Sequence, residues 1–237
     1  MISIDFCTLS SPCPYLEAKA SRSAYKYVFD ASFDLNSTLT QHGYRRFGRY
    51  YSKPICENCN ECISIRIDAK NFNFTKSAKK AIKRNKNTLS YISAPLCDDE
   101  HLRLYSKYHM YMSSKKDWKF YELSYQKYYE LYVDGAGEFG KEISYYDGEK
   151  LICVDLIDFI NDGISSIYCY YDPDYSWYSL GKFSLLRQII LAKVNNLRWI
   201  YLGFYVKDCP SLAYKGEYTP FESLKEYVEI NKECVWE

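Results

Sequence analysis

Three cysteines stand at three-residue spacing in the first third of the chain, at Cys56, Cys59 and Cys62. Thiols at this spacing can converge on one point, as the ligands of a metal ion must. Cys13, which lies between two prolines, is the candidate fourth ligand. The alternative is an apolar thiol cluster without metal.

A basic run follows over residues 76–86. No acidic residue occurs from position 76 through 97, and the cations recur at helical spacing on one side. The sequence therefore predicts a surface that contacts the phosphates of a nucleic acid, although a solvated helix face is the alternative. The candidate residues are Lys76, Lys79, Lys80, Lys83 and Arg84, and Lys115, Lys116 and Lys119 with Trp118 extend the surface or stack on an unpaired base.

Four arginines accompany aromatic or β-branched residues before position 70. Arg45, Arg46 and Arg49 alternate with aromatics, and Arg66 lies in an alternating apolar segment. A guanidinium can pair with both oxygens of a carboxylate, so Arg45, Arg46 and Arg66 are the candidates for binding an acidic substrate group. Exposed strand charge is the alternative for each of them.

Composition limits the class of protein. The 237 residues carry 31 Lys+Arg and 30 Asp+Glu, so the net charge of +1 indicates no polyanion partner and such a site must come from local clustering. The start of the sequence has no basic segment followed by a long apolar run, and no run of about 18 apolar residues could span a membrane. The ten cysteines therefore indicate free thiols in a reducing cytoplasm.

The elements that position these residues form two groups. Residues 1–75 are predicted as a cysteine-containing α/β subdomain and residues 76–237 as a second domain that opens with the basic helix. A short helix ends near His42 before Gly43, and residues 44–51 are predicted to form one strand. Helices are predicted over residues 98–113, 120–133 and 182–195, and strands over residues 89–93, 142–146, 151–160, 164–171 and 199–203.

The order of meander, loop, helix and strand in the second half is that of the GNAT acyltransferases. The fold class is therefore expected to be α+β, with a GNAT-like core. The loop at Ser179 and Gly181 would hold an anionic group at the positive end of the helix. The fuller pyrophosphate loop of the enzymes that use CoA is absent.

Several short blocks, taken together, resemble the aminoacyl-tRNA–protein transferases of the arginyltransferase type, in their short bacterial form. The blocks keep the order of that family over nearly the whole length. They are residues 12–16, 43–48, 56–62, 65–66 with 74–80, 165–173, 179–181, 201–203 and 209–215. The chain departs from the family at Arg46 and Phe47 before Gly48, at residues 174–178, and in using Lys on the basic helix.

This resemblance implies the transfer of an amino acid from aminoacyl-tRNA to the α-amine of proteins that begin with Asp or Glu. The added residue marks those proteins for degradation. The compact length favours leucine as the donor, with arginine left open. Lys215, in the last block, is a further substrate-binding candidate, and the family allows zinc or an iron–sulfur cluster at the cysteines.

Aminolysis of an activated ester requires positioning rather than a covalent nucleophile or a cofactor. No Ser/His/Asp set stands out, and a carboxylate or tyrosine hydroxyl could accept the proton of the amine. Tyr171, Asp172 and Tyr205 are the candidates. Two rivals stay open, namely an acyltransferase that uses acyl-CoA and a non-catalytic RNA-binding module.

Overall fold

The computed structural model describes residues 2–116 and 119–237. Within this part of the chain, a seven-stranded mixed sheet forms the centre of an α+β structure, in agreement with the predicted class. Its strand order is β13-β7-β12-β11-β10-β9-β8. The strands are β7 (Ile63–Asp68), β8 (Leu89–Ser93), β9 (Gly140–Asp147), β10 (Lys150–Ile160), β11 (Gly163–Tyr171), β12 (Trp199–Tyr205) and β13 (Phe221–Ser223).

Two smaller sheets come from the first part of the chain. The four-stranded sheet has the order β1-β4-β6-β5, and a two-stranded sheet pairs β2 with β3. The strands are β1 (Ser3–Cys7), β2 (Ser11–Pro12), β3 (Ala20–Ser21), β4 (Ser23–Val28), β5 (Arg45–Phe47) and β6 (Tyr50–Pro54). Strand β7 precedes residue 75 yet pairs with β12 and β13 in the large sheet. The division at residue 75 stays a prediction.

Five α-helices accompany the sheets in the described residues. They are α1 (Phe33–Gln41), α2 (Lys76–Arg84), α3 (Asp99–Lys116), α4 (Tyr125–Tyr128) and α5 (Leu180–Val194). A π-helix (Tyr129–Val133) continues α4, and 3-10 helices occupy Pro173–Tyr178 and Ala213–Glu217. Apart from α4, these helices confirm the predicted ones, and none is long and apolar enough to cross a bilayer.

Two local predictions were wrong in part. Residues 44–51 form a hairpin rather than one strand, because Gly48 turns the chain at φ +57°. A Cβ at Gly48 would lie 1.9 Å from the carbonyl oxygen of Glu130, so only glycine fits there. The helix predicted over residues 120–133 begins only at Tyr125 and changes to π geometry at Tyr129.

The predicted meander of β9, β10 and β11 is confirmed. The strands turn at Asp147–Gly148 and at Asn161–Gly163, and neighbouring strands pair antiparallel. Helix α5 packs on this sheet through Phe183, Leu186 and Ile189, which belong to the main core. A second core, rich in tyrosine, lies between α3, α4 and the other face of β10 and β11.

Strands β11 and β12 are parallel neighbours that separate along their length. Their pairing runs from Gly163–Trp199 to Ser165–Tyr201 and includes no later residues. Strand β11 carries an irregularity where Leu156 pairs with Tyr168 and Ile157 with Ser166. Strand β12 carries another between Tyr201 and Gly203. The carboxyl ends of the two strands therefore open into a gap.

Candidate active site

A cavity of about 1110 Å³ lies between the four-stranded sheet, the cysteine loop and the end of β12. Arg45 and Phe47 of β5 and Phe204 of β12 line it. Residues 13–16, the three thiols of the cysteine loop and residues 224–227 complete its walls. A space of this size can hold a small molecule or the first residues of a peptide.

Arg45 is the arginine in this cavity, and it has no carboxylate partner among the described residues. Its guanidinium carbon lies 5.3 Å from the centre of the Phe47 ring and 5.4 Å from that of the Phe204 ring. These contacts fix the side chain and leave its N–H donors for another group. Arg45 also lines a narrow cavity of about 10 Å³ beside Ser166 and Gly203, in the gap between β11 and β12.

Gly203 makes room for the arginine. A Cβ at this position would lie 2.8 Å from both Cδ and Nε of Arg45, and φ is +67°. Both the close approach and the left-handed conformation require glycine. The glycine of the sequence block at residues 201–203 is therefore required because the Arg45 side chain lies against it.

Lys215 binds the backbone of the irregular part of β12. Its buried Nζ donates hydrogen bonds to the carbonyl oxygens of Leu202, at 2.8 Å, and Phe204, at 2.7 Å. Burial, with a smaller effect from the charge of Arg45, lowers the pKa of Lys215 to about 7. Lys215 thus supports the strand on either side of Gly203, and it does not line the large cavity.

The other two predicted arginines already have partners. Arg46 is buried, and its Nε and Nη2 each donate to Asp158 at 2.7 Å. Arg66 pairs with Glu222 at 2.7 Å and lies between the rings of Trp199 and Trp236. Their donors are therefore occupied in the fold, and Arg45 is the candidate that the structure leaves accessible to a substrate.

Asp172 is held by two lysines. Its carboxylate, 2% exposed, accepts bonds from Lys107 at 2.6 Å and Lys150 at 2.8 Å. Burial raises the pKa of Asp172, but the bonds from Lys107, Lys150 and the backbone of Asp174 outweigh burial and lower it. A carboxylate with a lowered pKa is a weak proton acceptor at neutral pH, so this geometry does not favour the predicted role of Asp172 as a base.

Tyr171 and Tyr205 lie at the open ends of β11 and β12. Each ring lies close to a glycine. A Cβ added to Gly181 would lie 3.2 Å from the Tyr171 ring, and a Cβ added to Gly216 would lie 3.1 Å from the Tyr205 ring. Burial raises the pKa of Tyr171 to about 12, so its hydroxyl stays protonated at neutral pH. Because β11 and β12 are parallel, these two residues lie at the same end of the sheet.

Helix α5 begins beside this gap. Ser179 precedes it in a left-handed conformation with φ +54°, and its side chain caps no N–H group. The amides of Leu180 and Gly181 have no acceptor among the described residues. Such N–H groups at the positive end of a helix can bind an anion, which was the predicted role of Ser179 and Gly181.

The four predicted metal ligands all line the large cavity. Burial, with smaller effects from the neighbouring Cys13, Cys56 and Cys59, raises the pKa of Cys62 to about 12. Cys209, which the sequence pattern did not single out, is a further neighbour of Cys62. However, no three thiols, imidazoles or carboxylates among residues 2–116 and 119–237 are placed so that they could hold a metal ion. The metal site stays a prediction, which elemental analysis of oxygen-free protein would test.

The basic helix is confirmed as α2. Thr75 caps it by accepting from the amide of Ala78, and Ala78 and Ala81 form its buried side. Four exposed lysines of α2 have no carboxylate partner in the described part of the chain, and they are Lys76, Lys79, Lys80 and Lys83.

Arg84, the fifth predicted cation of α2, stacks on Trp177, with its guanidinium carbon 3.9 Å from the ring centre. Lys115, Lys116 and Lys119 are exposed, whereas Trp118 lies outside the described residues.

Sequence reasoning also missed a buried polar pair in the core. Asp155 of β10 accepts two bonds from Gln188 of α5, at 2.9 and 2.8 Å, and burial raises its pKa to about 7. The available signal was a carboxylate flanked by apolar residues in the middle of a predicted strand.

Comparison with known proteins identifies the family of this chain. A family model described as the C terminus of arginine-tRNA-protein transferase matches residues 100–225, and the model of its N terminus matches residues 11–80. The chain is 53% identical to an aspartate/glutamate leucyltransferase of Campylobacter jejuni, covering 100% of both chains. It is 34% identical to the Helicobacter hepaticus protein of the same name, covering 99% of this chain and 97% of that one.

Among solved structures, L-PGS from Bacillus licheniformis is similar, with a TM-score of 0.43 and 13% identity over 61% of this chain and 47% of that one. The family models and the full-length relatives confirm the resemblance that the sequence blocks predicted. The chain therefore belongs to the arginine-tRNA-protein transferase family, whose members are aminoacyl-tRNA–protein transferases.

Proposed function

We propose that this chain transfers leucine from leucyl-tRNA to the α-amine of proteins that begin with Asp or Glu, and so marks them for degradation in the cytoplasm. The observation that carries the proposal is Arg45, a guanidinium without a carboxylate partner in the described structure, facing a cavity large enough for a peptide end. A guanidinium binds a carboxylate through two parallel hydrogen bonds, which a neutral amide side chain cannot reproduce.

The donor side of the proposal uses two other features. The exposed lysines of α2 provide positive charge for tRNA phosphates. The unpaired amides of Leu180 and Gly181 are suited to an anionic group of the tRNA end. Leucine is favoured over arginine because the full-length relatives are named leucyltransferases.

The reaction is aminolysis of an ester. The neutral α-amine attacks the ester carbonyl carbon, the new C–N bond forms, and the bond from carbon to the ribose oxygen of the tRNA breaks. The amine loses a proton and the ribose oxygen gains one. Tyr171 and Tyr205 are the proposed hydroxyl groups for moving this proton, since both lie at the gap between the strands.

Positioning supplies most of the acceleration in this proposal. The ester is already activated, and holding amine and ester in contact can contribute about 7–11 kcal/mol. No cofactor is required by this chemistry. Lys215 and Gly203 position Arg45, and Arg46 serves the fold through Asp158.

We also infer a GNAT-like core in the second half and a cysteine-containing subdomain in residues 1–75. The support for the core is its element order: the meander β9–β11, a short 3-10 helix, α5, and then β12 parallel to β11. The separated ends of β11 and β12 provide the gap in which an acyl group could meet an amine.

The decisive experiment incubates the protein with radiolabelled leucyl-tRNA or arginyl-tRNA and with peptides that begin with Asp, Glu, Asn or Ala. We expect label on the Asp and Glu peptides, from leucyl-tRNA only. Transfer from arginyl-tRNA would make arginine the donor. Acyl transfer from CoA esters without tRNA binding would support the acyl-CoA alternative, and RNA binding without transfer would support a non-catalytic module.

A further inference from the structure

Trp177 projects from the surface next to the basic helix. It belongs to the 3-10 helix Pro173–Tyr178 and is 67% exposed. The Arg84 guanidinium covers part of its ring at 3.9 Å. Because a tryptophan normally buries most of its large surface, an indole with this exposure and one stacked partner offers a free aromatic surface.

The ring is held in place by the end of α2. Arg84 Nη1 donates to the carbonyl oxygen of Trp177 at 3.0 Å. The buried amide of Asn85 donates to the carbonyl oxygen of Tyr178 at 2.8 Å and to that of Ala81 at 2.9 Å. Because these bonds hold the backbone and Arg84 stacks on the ring, the Trp177 side chain loses little conformational freedom when a ligand stacks on it.

The surroundings are cationic. Lys80 and Lys83 of α2 are exposed, and Lys182 of α5 bonds to Ser77 at 3.0 Å. The nearby acid in the same 3-10 helix, Asp174, is already paired with Lys107 at 2.6 Å. Aromatic rings within a positive surface are the combination that binds single-stranded nucleic acid, because bases stack while phosphates meet cations.

The location connects this surface to the gap between the strands. The 3-10 helix follows Asp172 at the end of β11 and leads through Ser179 into α5. We propose that Trp177 and Arg84 form a stacking platform for an unpaired base at the 3′ end of the donor tRNA. This inference rests on the proposed function. A base within a duplex is covered on both faces, so the platform selects the single-stranded end.

The test measures binding of two uncharged tRNA samples, one complete and one with its unpaired 3′ nucleotides removed, at several salt concentrations. Trp177→Ala should weaken binding of the complete tRNA by about 5- to 150-fold, the range measured for loss of one stacked base. It should leave binding of the trimmed tRNA unchanged. The salt slope should not change, because stacking releases no counterions. Trp177→Phe should retain most of the affinity.

Phe6→Ala is the matched control. Phe6 is 45% exposed and stacks on Tyr25, but it lies in the four-stranded sheet, and its replacement should not alter tRNA binding. If Trp177→Ala does not fold, judged by its thermal midpoint, Trp177→Leu replaces it as the variant without a π surface. Equal losses for complete and trimmed tRNA, or no loss for either, would overturn the platform.

The platform and the proposed function can fail separately. Leucyl transfer by the wild-type protein combined with unchanged tRNA binding by the Trp177 variants would overturn only the platform. Absence of leucyl transfer, combined with an end-dependent loss in the Trp177 variants, would overturn the proposed reaction and leave the platform supported.

Discussion

The side chain of Arg45 lies against the backbone of Gly203, so close that a methyl group at residue 203 would collide with it. The two residues are far apart in sequence, and they meet where β12 has a register shift and Gly203 has a left-handed conformation. The direction of the guanidinium into the cavity therefore depends on one missing Cβ.

Gly203→Ala should displace Arg45 and strain the backbone at φ +67°. We expect a decrease of about 1–2 kcal/mol in the free energy of unfolding, from the left-handed conformation alone. The second-order rate constant for Asp peptides should fall while tRNA affinity is unchanged. Thermal unfolding, peptide kinetics and tRNA binding measure the three quantities. A Gly203→Ala variant with normal peptide kinetics would contradict the dependence of Arg45 on this glycine.

Arg45 and Arg46 are neighbours with opposite expected behaviour. Arg45→Ala should fold normally and lose at least about 30-fold in kcat/KM for Asp peptides, as removal of one partner of a charge pair does. Arg45→Lys should restore only part of the lost kcat/KM, because lysine lacks the two-pronged geometry.

Arg46→Ala should lower the free energy of unfolding by about 3–5 kcal/mol, because it leaves Asp158 buried without its partner. Unfolding curves and peptide kinetics on both variants test the contrast, and a stable Arg46→Ala protein that rejects Asp peptides would reverse the assignment.

His101 should make stability fall as the pH rises. It lies 1% exposed between Glu142 and Asp98, at 3.0 and 2.8 Å. Burial lowers its pKa, but the hydrogen bonds and charges of Glu142 and Asp98 outweigh burial and raise it to about 9, from 6.5. The folded state therefore holds a proton that the unfolded chain releases. The contribution of His101 to the free energy of unfolding is complete below pH 6.5 and is lost between pH 6.5 and 9.

The measurement compares the free energy of unfolding of the wild type with that of His101→Asn from about pH 6 to 9.5. The difference should be largest at the acidic end of this range and decrease toward the folded-state pKa of about 9. Lys215, with a pKa lowered to about 7, has the opposite slope above that pH, but it is present in both proteins and cancels in the difference. A difference that stays constant across this range would show that His101 is not protonated in the folded state.

The α2 lysines should act through salt-dependent tRNA binding. Replacing Lys79, Lys80 and Lys83 by Ala should weaken binding and reduce the salt slope by about 0.7–0.9 for each phosphate that is no longer neutralised. Arg84 is left in place because it stacks on Trp177. A triple Ala variant of the exposed Lys19, Lys207 and Lys232 is the control of equal charge change. Equal effects of the two triple variants would indicate net charge rather than a site.

Asp172→Asn tests the role of this carboxylate. A general base typically contributes about 10²–10⁴-fold to the rate. Because Lys107 and Lys150 hold Asp172 and its pKa is lowered, we expect kcat to fall less than about tenfold and the thermal midpoint to fall measurably. A decrease in kcat of about a hundredfold or more in a protein of unchanged stability would restore Asp172 as the base.

Local patterns in the sequence were sufficient for the elements with clear turn and cap signals. Asp147–Gly148 is a turn signal between the predicted strands β9 and β10. Either Thr75 or Ser77 could cap the basic helix, and the structure has Thr75 as the cap. The helix predicted over residues 120–133 ends where expected but begins only at Tyr125, because a run of tyrosines carries no clear periodicity, and its backbone changes from α to π geometry. Local propensity does not describe the π geometry that begins at Tyr129.

The site could be predicted only as a set of alternatives. Arg45, Arg46 and Arg66 have the same chemistry, and their difference lies in partners that are distant in sequence, Asp158 for Arg46 and Glu222 for Arg66. A single sequence does not give such pairings. Three of the thiols could be grouped because they share one loop, whereas Cys209 reaches Cys62 only through the fold, and the metal site stays a prediction. Trp177 was missed because exposure is a property of the folded surface.

The position of β7 between β12 and β13 has a consequence for the order of synthesis. The ribosome produces β7 early, but both strands that pair with it follow much later. Until then, the nascent chain carries an apolar strand with two open edges, a form that favours pairing with other chains. Arg45 likewise meets Gly203 only after β12 has been translated. We therefore expect chains that stop before β12 to aggregate, and the transferase site to become competent only after β12 has been translated.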